Sequence, residues 1–257
     1  MLFRSDFWNL IPFAANHIDE PIADYAILPT FKLASEASKK FKVAITGEGG
    51  DELFGGYGRY RSSNFFSKRK FFKGAFRKFK DFSNNYWRFE LNQTYIENLE
   101  LTEIQKRQYF DYINWLPNNL LVKLDRCLMS YGMEGRTPLI DKELFKTFFY
   151  IDDKFKIKRG YGKFMIREFL KNKVKHYDSF LKKEGFTVPI NKWIPKKAKL
   201  LEKLLPRVEI LKIFFTKDEI ISLCKSVEYN GKNIRALWHL IFISAWYYVK
   251  HRKVKDN

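Results

Sequence analysis

A short apolar run, Lys42-Val43-Ala44-Ile45-Thr46, leads into a turn dense in glycine, Gly47-Glu48-Gly49-Gly50-Asp51-Glu52, that carries three carboxylates. Val and Ile without polar alternation suit a strand buried on both faces. It is the one clear β element in a chain that otherwise reads as helical. A strand is not stable without neighbours. Its sheet partners must therefore lie outside these 257 residues or on a segment with little β pattern. Glycine lets the backbone bend sharply and bring its amides close to phosphate oxygens. Carboxylates there would repel the phosphate unless a divalent cation stood between them. The combination predicts a Mg²⁺-nucleotide site at the carboxyl end of a parallel strand, where open α/β sheets bind ligands.

Common phosphate loops do not match this turn. No Gly-Lys-Ser/Thr triplet follows Gly47, and a dinucleotide fingerprint would need glycine where Glu52 stands. A tight turn with a solvated acidic rim fits the spacing as well. Periodicity predicts helices over 7–16, 28–40, 65–82, 102–112, 118–132, 142–150, 160–172, 197–204, 216–227 and 233–249. The fold class is thus α/β but mostly helical. Residues 1–60 are expected to end a nucleotide-binding sheet, and 61–257 to form a helical part with substrate-site segments.

A net charge of +19 raises nucleic acid or an anionic surface as partners. The charge is dispersed, with one dense cluster at 65–82, where Phe65, Phe72, Phe76 and Phe79 fall at helical spacing among lysines and arginines. That pattern fits an aromatic stripe packed on the protein with solvated charges. No nucleic-acid motif accompanies it, so neither nucleic acid nor membrane is expected as a partner. Cys127 and Cys224 are isolated, the four histidines lack ligand spacing, and the apolar stretch 236–249 is too short to span a bilayer. With no cleavable leader before Asp6, a cytoplasmic location is expected.

The turn, continued as Leu53-Phe54-Gly55-Gly56-Tyr57, resembles the asparagine synthase signature Gly-Glu-Gly-x-Asp-Glu-Leu/Val-Phe-Gly-Gly-Tyr. The resemblance runs in order along roughly 17–250. Asp19-Glu20-Pro21-Ile22-Ala23-Asp24 is similar to the family's Asp-Glu-Pro-x-Ala-Asp, and residues 116–126 to its acidic-basic helix. Glu134-Gly135-Arg136-Thr137-Pro138-Leu139-Ile140-Asp141 resembles Glu-x-Arg-x-Pro-Phe-Leu-Asp. Lys183-Glu184-Gly185-Phe186 with Pro189 and Trp193 resembles Lys-x-Gly-Phe…Pro…Trp, and Leu237, Trp238 and Trp246 match the closing helix. Two family features are missing from these residues: the pyrophosphate loop Ser-Gly-Gly-x-Asp-Ser, and the glutaminase nucleophile Cys, whose place is taken by Leu2.

The resemblance implies a partial ATP-pyrophosphatase domain of the adenine nucleotide α-hydrolase type, with few parallel strands and a helical carboxyl-terminal part. Its missing partner would be an amino-terminal half bearing the pyrophosphate loop and glutaminase. The implied chemistry joins aspartate and ammonia, using ATP and Mg²⁺, through a β-aspartyl-adenylate. Gly47, Gly49, Gly50 and Asp51 would meet ATP and pyrophosphate, Asp51 would hold Mg²⁺, Glu48 would act on the amine, and Lys183 would neutralise phosphate charge. Leu181 replaces the arginine usual two residues before that lysine. Asp125, Arg126, Glu134 and Arg136 would form an ion-paired helix wall around the site, though a structural network suits them better, with Arg126 and Glu134 two helical turns apart. Lys163 and Arg167, four apart on one helix, would repel unless an anion or acidic group lay nearby, and a solvated face explains them equally well. Amidation of another carboxylate, in surface-sugar or secondary metabolism, and an inactive binding remnant remain as alternatives.

Overall fold

The computed structural model describes residues 4–61, 95–176, 178–181, 185–186, 188–231 and 233–255. The basic Phe-rich segment 65–82 and Lys183 lie outside them. Helices α1 (Arg4–His17) and α2 (Ile27–Ala37) precede strand β1 (Val43–Ile45), which runs into α3 (Gly50–Phe54). Helix α4 (Glu103–Phe110) continues into a π-helical stretch, Asp111–Leu121, and then into α5 (Val122–Met129). Strand β2 (Glu134–Arg136), α6 (Lys142–Phe148) and α7 (Asp153–Lys156) follow, then the small hairpin β3 (Ile157–Lys158) and β4 (Tyr161–Gly162). Helix α8 (Phe164–Lys173) leads to α9 (Ile190–Trp193), α10 (Ala198–Leu204), α11 (Glu209–Lys212), α12 (Lys217–Asn230) and the long α13 (Ile234–Lys255). The expected α/β class with few parallel strands is what the chain adopts.

β1 has a partner. It pairs in parallel with β2, Val43 opposite Glu134, Ala44 opposite Gly135 and Ile45 opposite Arg136. Glu-Gly-Arg carries no β signal, which is why the sequence left this neighbour unseen. The register follows from packing, since a Cβ on Gly135 would come within 2.7 Å of Leu128 Cδ1. Ala44 and Gly135 therefore face α5, whose Leu124 and Leu128 cluster with Ala34 and Met133.

Burial of β1 on both faces is not found. Phe41, Val43 and Ile45, alternate residues on its other face, are 60%, 41% and 79% exposed. Helices cover one side of this two-stranded sheet only, whereas parallel sheets are ordinarily covered on both.

The segment expected as one helix over 118–132 also differs. Its first part is π-helical, a stretch that contains Pro117, which has no N–H to donate, and in which side chains also take up backbone carbonyls. Asn114 Nδ2 donates to Phe110 O at 3.0 Å, and Asn118 Nδ2 to Asn114 O at 2.9 Å.

The main core joins α1, α2 and the carboxyl-terminal helices around the fully buried Trp238 and Phe7. Two tryptophans of α13 fasten the Asp19–Asp24 motif. Trp238 Nε1 donates to Ala23 O at 2.7 Å, and Trp246 Nε1 to Ile18 O at 3.1 Å. Each buries a large ring while satisfying its one donor.

Candidate active site

The end of β1 and the start of α3 form the site. Gly49, which precedes α3, has φ 87°, and a Cβ there would lie 2.3 Å from Ile140 Cγ2. Only glycine suits both conditions. A Cβ on Gly56 would fall 1.7 Å from Asp51 Oδ1 and 2.5 Å from Lys163 Cε. The space left by Gly56 thus houses two other side chains. Asp51, in the first turn of α3, is half-buried, and Lys163 Nζ reaches its Oδ1 at 2.9 Å.

Lys163 comes from the residue preceding α8. Its backbone amide donates to Phe54 O at 3.0 Å, which ties the β4–α8 corner to the end of α3. Arg167, one turn further, does not share Lys163's partner. Its Nε donates to Gly162 O at 2.9 Å, and its Nη1 to Ser179 O and Leu181 O at 2.5 and 3.0 Å. The two cations therefore tolerate their spacing by answering to different groups.

Glu48 sits half-buried beside this pair. Burial pushes its carboxyl above the ordinary range, with Asp24 and Asp51 adding to the push and Lys123 and Lys163 opposing it. Lys123 is itself nearly buried, and its Nζ pairs with Asp24 Oδ2 at 2.7 Å. Five charged groups from four parts of the chain thus lie around one turn. A carboxyl lifted toward neutrality in such a setting is suited to proton transfer.

Beneath the turn, buried hydrogen bonds hold α3 in place. Gln108 Nε2 donates to Glu52 O and Leu53 O at 2.6 and 2.7 Å, and Lys156 Nζ donates to Gln108 Oε1 at 2.9 Å. Tyr57 OH donates to Glu52 Oε1 at 2.7 Å, while Arg59 Nη2 and Tyr60 OH donate to Asp111 Oδ2 at 2.7 and 2.6 Å. Burial lowers the Lys156 amine to about 8, against only a weak pull upward from Asp153. The unfolded chain, with an ordinary amine near 10.5, then binds more protons than the folded one between those values. Stability contributed by this group rises with pH across that window, and below it the cost of burying the cation is paid in full. Chemical denaturation from pH 7.5 to 10.5 should show the wild type gaining up to about 3 kcal/mol relative to Lys156→Met. Parallel curves would show that the amine titrates normally.

The four residues expected as one helix wall are not brought together as such. Glu134 and Arg136 stand on β2, because α5 ends at Met129. They form their own exposed pair at 3.0 Å. Arg126 instead reaches Asp19 at 2.7 Å, with Asp125 at 3.7 Å. Gly47, Glu48, Gly49, Gly50 and Asp51 lie on the turn between β1 and α3 and in the first residues of α3. Lys163 was legible in the sequence only as half of a repelling pair; no local signal marks its distant partner.

Among the described residues no group of three or more His, Cys, Asp or Glu could hold a metal ion. Mg²⁺, however, is often held by one or two carboxylates with phosphate oxygens and water completing the shell. Asp51, a half-buried carboxylate in the first turn after the glycine-rich segment, fits that arrangement as one such ligand. No helix among the described residues is long and apolar enough to cross a membrane.

The asparagine synthase family model matches residues 2–248. The chain belongs to the asparagine synthase family. Within this family it is 25% identical to asparagine synthetase [glutamine-hydrolyzing] 1 of Bacillus subtilis, over 96% of the chain and 47% of that relative. It is 26% identical to a putative asparagine synthetase [glutamine-hydrolyzing] of Mycobacterium tuberculosis H37Rv, over 97% of the chain and 46% of the relative. A stretch covering 20% of the chain is 46% identical to a putative asparagine synthetase of Methanocaldococcus jannaschii. The chain spans about half the length of the first two relatives.

Proposed function

We propose that this chain is the carboxyl-terminal part of an ATP-dependent amide-forming ligase that makes asparagine from aspartate and ammonia. The observation that carries this reading is the Lys163–Asp51 pair at the end of β1, with Glu48 beside it. In the proposed reaction the side-chain carboxylate of aspartate attacks the α-phosphate of ATP, and pyrophosphate leaves. Ammonia then attacks the acyl carbon of the β-aspartyl-adenylate, AMP leaves, and the nitrogen sheds a proton. Work of this kind rests on positioning and charge neutralisation more than on covalent help from the protein.

Each residue has a part in this scheme. Asp51 would hold Mg²⁺, which when bound offsets the negative charge of the phosphate oxygens. Amides of Gly47, Gly49 and Gly50 line the approach of the phosphates. Lys163 swings from Asp51 toward phosphate oxygens as substrate enters, a role the sequence had pointed to Lys183 for. Glu48 takes the proton from the attacking nitrogen, for which a raised carboxyl is suited. An amino-terminal half carrying the pyrophosphate loop and a glutaminase completes the enzyme, and the uncovered face of β1 is where it adjoins this chain.

The reading is tested by separating the two half-reactions in the completed enzyme. Glu48→Gln is expected to keep aspartate-dependent ATP–pyrophosphate exchange within about threefold while amide formation falls by about a hundredfold, the usual scale for losing a general base. Equal loss of both would assign Glu48 to ATP instead. Exchange supported by other carboxylic acids and not by aspartate would move the substrate to another acid.

A further inference from the structure

Among the carboxyl-terminal helices lies a cleft that none of the site residues lines. It has a volume of about 480 Å³, and Lys203, Arg207, Lys212 and Lys217 face it together with Glu202. We propose that this cleft is a second ligand site, for a small multiply phosphorylated anion, separate from the turn after β1 and independent of the function proposed above.

The charge arrangement favours an anion. Lys212 is answered by Glu209 at 2.6 Å, but among the described residues Lys203, Arg207 and Lys217 have no acidic partner within ion-pair distance. Glu202 is the one carboxylate in the lining, so the cations outnumber it. Like charges brought together around one cleft raise the local concentration of anions. The negative charges of Asp218 and Glu219 belong to the first turn of α12, where they complement the helix end. Glu219 is engaged there in the capping box with Thr216.

The cations stand on a firm base. Leu201, Leu205, Leu211 and Ile220, from the same helices and the turn between them, are buried in the main core. Positions held in this way keep their spacing before a ligand arrives, which reduces the ordering cost of binding. The cleft's size suits a ligand of a few phosphate groups. Pro206 and Ile221 are its apolar lining, and no aromatic ring is present to stack a base. Recognition is therefore of phosphate charge, whether the source is an inorganic polyphosphate or the phosphate end of a larger metabolite.

Calorimetric titration of the chain with sodium tripolyphosphate, in EDTA and 20 mM salt, tests the proposal. Lys203→Gln/Arg207→Gln/Lys217→Gln should bind at least about tenfold more weakly, with an unchanged melting temperature because all three are exposed. Lys146→Gln/Lys154→Gln, a pair of equally exposed lysines elsewhere, should bind as wild type. Adenosine should not compete. ATP and tripolyphosphate of matched charge should bind within a few-fold of each other. Absence of tripolyphosphate binding overturns the proposal. So does equal affinity in the triple variant, or competition by adenosine.

Discussion

Lys163→Met and Asp51→Asn should each lower ATP–pyrophosphate exchange by the completed enzyme by about 10²–10³-fold, the range typical of removing one preorganised charge-stabilising group. Both should leave the melting temperature nearly unchanged, since the pair lies 2.9 Å apart but is partly open to water. Such a pair contributes about 1 kcal/mol or less to folding. The double variant should be scarcely worse than either single one, because groups acting as a unit are not additive. Lys163→Arg should not restore activity: its planar fork differs from a compact ammonium, and the Gly56 space that receives the lysine stem is narrow. Lys183→Met is the comparison that decides between two lysines. Full turnover in Lys163→Met together with a collapse in Lys183→Met would return the phosphate-neutralising role to Lys183.

The 257-residue chain supplied with aspartate, ATP, Mg²⁺ and ammonium should yield no asparagine above background. It carries no Ser-Gly-Gly-x-Asp-Ser string, and under the function proposed above it would supply only one side of the phosphate cradle. Addition of an amino-terminal half bearing that loop should restore AMP and asparagine together. The same addition should cover the apolar face at Phe41, Val43 and Ile45. Amide hydrogen exchange at Val43–Ile45 is expected to slow by at least about tenfold as opening of the strand becomes costlier. Asparagine made by the chain alone would refute the division of the cradle. Restored activity without protection of β1 would place the contact elsewhere.

Several parts of this molecule could be read directly from residue order. The Gly-Glu-Gly-Gly-Asp turn, its place at the end of a strand, and the start of α3 at Gly50 all follow from local chemistry. The helix starts at 102 and 216 follow from periodicity, and the structure closes both with capping boxes, Thr102 with Gln105 and Thr216 with Glu219. The hairpin β3–β4 was missed because its strands have two residues each, too short for alternation to register.

What remained hidden is of one physical kind. Periodicity and capping report which side of an element meets water and where it begins, within a turn or two of chain. They do not report which distant element fills the other side. Glu-Gly-Arg becomes a strand because Gly135 alone lets β2 close against Leu128, and Lys163 becomes a site residue because the β4–α8 corner is bonded to Phe54 O beside Asp51. Sequence by itself determined the glycine-rich turn at the end of a strand, the helical character and the family. Tertiary packing alone decided β1's neighbour, the bare face of the sheet and the identity of the lysine at Asp51, since each depends on a fit between surfaces far apart in the chain.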